Sequence, residues 1–147
     1  MPAIPVLTTN EVSEYIRDQA ENNHLIDGKE FSPTVIGLAM TLAISEFNAM
    51  PPIGSVDLYT FPSKAILMSG TLYKMFAGQA ALLARNTMSY SDGGLQIPVE
   101  ERFQLYQTLS SMYQADFMNS SRALKTHQNL EDGWGGVRSD YGYMPIW

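Results

Sequence analysis

His24 and His127 are the side chains best suited to proton transfer or metal ligation near neutral pH in this 147-residue chain. Each lies in a polar stretch near an expected helix end. Neither has a carboxylate or a second histidine at a metal spacing of a recognised kind. Both read as exposed or capping residues. Asp92-Gly93-Gly94-Leu95 has the glycines of a phosphate loop but not the Lys-Ser/Thr that must follow, so it reads as a turn. Glu100 and Glu101 are paired in sequence only, because adjacent helical residues point apart and a two-carboxylate site does not follow. No nucleophile elbow occurs, and Arg122 with Lys125 is too small a basic group for nucleic-acid binding. The absence of cysteine removes disulfides and thiolate metal sites. The expectation is a non-enzymatic chain without cofactor or metal.

The residues that stand out instead suit binding. Trp134, Val137, Tyr141, Tyr143, Ile146 and Trp147 lie in a stretch rich in glycine and without helical periodicity. Trp and Tyr dominate interface hot spots. Two readings stay open: the stretch folds back onto its own domain, or it docks on a neighbour, for example by adding a strand to a sheet edge.

Elements that would present this arm follow from capping signals and periodicity. Residues 1–8, with Pro2 and Pro5, read as an extended arm. Thr8 and Glu11 have capping-box spacing, and Val12, Ile16 and Ala20 then form a helical stripe until Asn22, Asn23, Asp27 and Gly28 make a turn. Ser32-Pro33 starts a second helix that is apolar on nearly every face, which predicts a central position in a bundle, and Pro51-Pro52 stops it. Residues 53–61 alternate loosely and read as a short strand near 55–60 or an ordered loop. Pro62-Ser63 opens a third helix reaching about residue 89. Its small residues Gly70, Ala77, Gly78 and Ala81 permit close helix approach. Pro98 opens a fourth helix with an aromatic stripe at Phe103, Tyr106, Tyr113 and Phe117, read as core rather than as a stacking platform.

The expected fold is therefore mainly α, a four-helix bundle over residues 9–130 between an N-terminal arm, 1–8, and a C-terminal arm, 131–147. Hydrophobic residues make up 45% of the chain, ample for a core, while charged residues at 16% fall well below the typical quarter, which favours extra buried surface in an assembly. The net charge is -6, which argues against DNA binding by the whole surface. Residues 1–57 carry eight acids against Arg17 and Lys29, whereas the remainder is balanced. No leader peptide is expected at residues 1–10, and the apolar run 35–44 is about half of a membrane span.

Several short patterns occur in a suggestive order. They are Glu30-Phe31-Ser32, Phe47-Asn48 with Pro51-Pro52, Leu82 to Asn86, Asp92-Gly93-Gly94-Leu95, and Gly135-Gly136-Val137-Arg138-Ser139-Asp140-Tyr141-Gly142. Taken together they resemble small virion structural proteins of tailed bacteriophages, in layout the head–tail connector (adaptor) proteins. The resemblance implies a helical bundle that forms a homo-oligomeric ring under the portal, at the head–tail junction of the particle. Its extended termini would reach neighbouring subunits, portal or tail proteins, and DNA would pass through the channel without sequence-specific contact. An acidic wall would limit sticking of that DNA. The aromatic stretch ending Pro145-Ile146-Trp147 departs from the pattern. Other virion roles, such as tail terminator, baseplate or decoration protein, share these features, and a small helical ligand-binding protein is the remaining alternative.

Overall fold

A computed structural model describes residues 4–23, 28–86 and 99–134. Four helices are present among the described residues: α1 (Thr9–Tyr15), α2 (Pro33–Ala49), α3 (Lys64–Asn86) and α4 (Val99–Trp134). They pack against one another, and no strand occurs among the described residues. The mainly helical four-helix fold expected from the sequence is the fold observed.

Local chemistry sets most helix starts. The Thr8 hydroxyl accepts from the Glu11 N–H at 3.2 Å, and the Glu11 carboxylate accepts from the Thr8 N–H at 2.9 Å, a reciprocal capping box. Ser32 caps α2 by accepting from the Val35 N–H at 3.3 Å, with Pro33 in the first turn. Pro51 and Pro52 follow the end of α2, as expected.

The helix ends depart from expectation more often. α1 stops at Tyr15 instead of continuing through Ala20. Arg17 takes a left-handed conformation (φ 54°), its N–H bonds to the Glu14 carbonyl at 3.1 Å, and the Asp18 N–H bonds to the Ser13 carbonyl at 2.9 Å. This is a Schellman cap with arginine where glycine is usual. Asp18 holds it in place. Its buried carboxylate accepts from the Asn23 amide at 2.7 Å and from the Glu30 and Phe31 N–H groups at 2.7 and 2.8 Å. At the other end of the chain, α4 runs through Gly133 to Trp134, so the helix continues past residue 130 into what reads in sequence as arm.

The central helix is α3, not α2. Its most extensive packing is against α4, the next most extensive is against α2, and α1 rests on α2. Ala43, Gly70 and Phe117 mark where α2, α3 and α4 converge. A Cβ on Gly70 would lie 2.7 Å from the Phe117 ring and 2.9 Å from the Ala43 Cβ, so only glycine permits this approach. The aromatic stripe of α4 does face the core. Phe76 lies 6.0 Å from Tyr106, 5.8 Å from Tyr113 and 6.0 Å from Phe31 between ring centres. Glu30 accepts from both the Tyr106 hydroxyl and the Gln79 amide, joining three elements.

Of the two readings of residues 53–61, a short strand near 55–60 or an ordered loop, the structure shows an extended loop. Exposure does alternate from Ile53 to Leu58. The pairing partner, however, is a side chain. The Asn48 amide donates to the Val56 carbonyl at 2.8 Å and its oxygen accepts from the Val56 N–H at 3.0 Å, mimicking a neighbouring strand at one residue. The Val6 N–H adds one bond to the Leu58 carbonyl at 2.9 Å. Residues 4–8 thus lie along this loop, with Leu7 fully buried, rather than projecting as an arm.

Candidate interaction surface

Helix α2 buries one face and leaves the other in solvent. Ile36, Ala39, Met40, Ala43 and Phe47 enter the core. Val35, Leu38 and Leu42, spaced for a single stripe, are 46%, 60% and 46% exposed. Thr34, Thr41, Ser45 and Ala49 flank them in solvent. The only charged residue of α2, Glu46, pairs with Lys74 of α3 at 2.5 Å and is mostly buried. The solvent face of this helix therefore carries no charge. Charge is depleted in the same way at the cores of protein interfaces.

An apolar groove of about 290 Å³ runs beside this stripe. Gly37, Met40 and Ile44 of α2 form one wall, and Pro5, Leu7 and Leu58 the other. A Cβ on Gly37 would meet nothing within 4 Å.

No family model, curated protein or solved structure matches this chain.

Among the described residues, those with chemical potential are not brought together. His127 is exposed on α4, its Nε2 3.2 Å from a Glu131 carboxylate oxygen one turn on. No cluster of three or more metal-ligating residues forms among the described residues. Glu100 and Glu101 lie in the first turn of α4. His24, the Asp92-Gly93-Gly94 turn, and Val137, Tyr141, Tyr143, Ile146 and Trp147 lie outside the described residues. Trp134 is the last residue of α4. Among the described residues no helix is long and apolar enough to cross a membrane.

Lys125, which in sequence reads only as part of too small a basic group, is held inside the fold. It is 4% exposed, donates to the Pro52 carbonyl at 2.7 Å and sits 4.4 Å from the centre of the Phe47 ring. Burial pushes its pKa below the usual lysine value. Ser121, one turn earlier, is fully buried and its hydroxyl has no hydrogen-bond partner among the described residues. Both side chains are packed inside the bundle. The Lys125 contacts with Pro52 and Phe47 fasten α4 to the end of α2.

The uncharged face of α2 was overlooked in the sequence for a specific reason. A helix apolar all round satisfies either full burial in its own domain or half burial with a partner on the other side. The structure shows one face buried and the other in solvent. The signal was present as a single charge in seventeen helical residues.

Proposed function

We propose that this chain is a structural subunit of a tailed-phage virion, a head–tail connector (adaptor) that forms a ring joining portal to tail and lining the DNA channel. The observation that carries the subunit reading is the uncharged, aliphatic outer face of α2 on an otherwise complete bundle. Such a face gains apolar burial when a neighbour covers it. The assignment to a connector rests on the ordered short motifs and on the acidic balance. A net charge of -6 suits a channel wall that must let DNA slide. The arm residues Trp134, Val137, Tyr141, Tyr143, Ile146 and Trp147 would add a second contact, to portal, tail or adjacent subunit, in the assembled particle.

Electron microscopy of the native particle, with this protein located by a bound label, tests the reading. A ring of labelled density between head and tail is expected. Density elsewhere in a virion would replace the connector by a terminator, baseplate or decoration role. Absence from any particle would overturn the virion assignment altogether.

A further inference from the structure

An uncharged helix face is best covered by a surface that carries no charge either, because a charged side chain pressed onto it would lose water without gaining a partner. Among the described residues, α4 offers such a surface. Residues 103–115 contain no Asp, Glu, Lys or Arg. One side of this stretch, with Tyr106 and Tyr113, packs on Phe76 of α3. The other side, Gln104, Leu105, Thr108, Ser111, Met112 and Ala115, lies in solvent, with Leu105 57% and Met112 54% exposed. Gln104 to Ala115 and Thr34 to Ser45 of α2 are each about 16 Å long at the helical rise per residue. The other helices interrupt their outer faces sooner. α1 exposes Glu11 and Glu14, and Gly78, Ala81 and Leu82 of α3 give way to Arg85.

Shape and charge agree with this match. Each face sets large side chains beside small ones, Leu38 and Leu42 beside Thr41 and Ser45, Leu105 and Met112 beside Thr108 and Ser111, so ridges of one can enter grooves of the other. Charge separates α4 from a second α2 as the cover. Residues 1–57, which include α1 and α2, hold the whole net charge of -6, while residues 58–147 carry seven acids and seven bases. Joining two α2 faces would bring two acidic halves together. Setting α2 on α4 places the acidic half of one copy against the balanced half of another. The two helices pack on α3 from two sides with these faces outward, so they meet only between molecules.

We propose that the outer face of α2, with Val35, Leu38 and Leu42, packs on the outer face of α4, with Leu105 and Met112, of a second copy. The inference rests on the subunit reading above and names the surface that covers α2. Two different faces make the contact heterologous, so it repeats from copy to copy and closes into a ring or extends as a filament.

The chain has no cysteine, so introduced cysteines report on chosen pairs. Leu38→Cys, Leu42→Cys, Leu105→Cys and Met112→Cys each replace an exposed side chain. Full-length variants, one from α2 and one from α4, are mixed and treated with a short bismaleimide. At least one of the four mixtures should give covalent dimers, and each variant alone should give none. One chain carrying both cysteines of the reactive pair should give a ladder of higher multiples, and adding Thr108→Glu to the α4 variant should abolish the dimers. Dimers of an α2 variant with itself would assign the face to an α2 pair. Absence of dimers from all four mixtures, in a chain that sedimentation shows to be oligomeric, would assign assembly to other faces. Both results overturn the proposal and leave the subunit reading standing. A chain that stays monomeric and uncross-linked would also overturn it, while the location of the protein in particles tests the subunit reading separately.

Discussion

Two glycines of α3 illustrate how a single residue is read differently once its surroundings are known. Gly70 is wedged between Phe117 and Ala43, whereas a Cβ on Gly78 would meet nothing. Gly78→Ala should therefore stabilise the chain by about 0.5–1 kcal/mol through helix propensity alone. Gly70→Ala gains the same propensity but forces apart rings and helices, and overpacking typically costs about 1–3 kcal/mol, so the net change should be destabilising. Urea unfolding of the two variants checks the opposite signs, and a stabilised Gly70→Ala would refute the close approach. In sequence the two glycines are equivalent members of one small-residue stripe. Capping residues were legible because their partners are three positions away, as with Thr8 and Glu11. Lys125 was not, because its role depends on Pro52 and Phe47, far away in the chain. That role has a pH signature. Burial lowers the Lys125 pKa, so the unfolded chain holds this proton more tightly than the folded one. The resulting penalty is present in full at neutral pH and fades as pH rises from the depressed value towards the ordinary lysine value. Lys125→Met removes the titrating group. The stability of wild type minus that of the variant should increase between neutral and alkaline pH, and parallel profiles would contradict the burial argument.

At the scale of elements, the alternation over residues 53–58 leaves strand and ordered loop both open, and the structure shows the loop. Period-two exposure requires only an extended chain with one side covered. Whether backbone or side chain does the pairing is invisible to periodicity. Here Asn48 does it, and Asn48→Ala should cost about 1–3 kcal/mol by leaving the Val56 N–H and carbonyl without partners. Amide exchange at Val56 should accelerate more than at residues in α3; an unchanged rate would show that another group holds the loop. Helix α2 tells a related story. Its apolar character was legible, but its position was not, because the hydrophobic pattern counts contacts without saying which molecule supplies them. Leu38→Glu combined with Leu42→Glu should leave helicity intact, since both side chains already face solvent. The same pair of changes should reduce a ring or other oligomer to monomers in sedimentation experiments. Oligomers of unchanged size would remove α2 from the interface.

For the whole molecule, helix order in space departs from what burial of sequence segments implied. α3 has neighbours on two sides, α2 and α4, and its buried positions, from Leu67 through Ala80, recur along most of its length. Its amides should be the slowest in the chain to exchange with solvent, and those of the short α1 among the fastest of the helical ones. Hydrogen exchange followed by mass spectrometry reads this order directly, and equal protection of α1 and α3 would argue for a different centre. The contact of Gly70 with Phe117 has a further consequence, on the timescale of lineages. Space at that crossing is shared, so the two positions are not free to drift separately. A descendant that acquires a larger residue at 70 can keep the same helix spacing only if 117 shrinks, and a smaller residue at 117 relaxes the demand for glycine at 70. The pair should therefore behave as one inherited character, with each intermediate less fit than either end state, and Phe117→Leu should rescue part of the loss caused by Gly70→Ala.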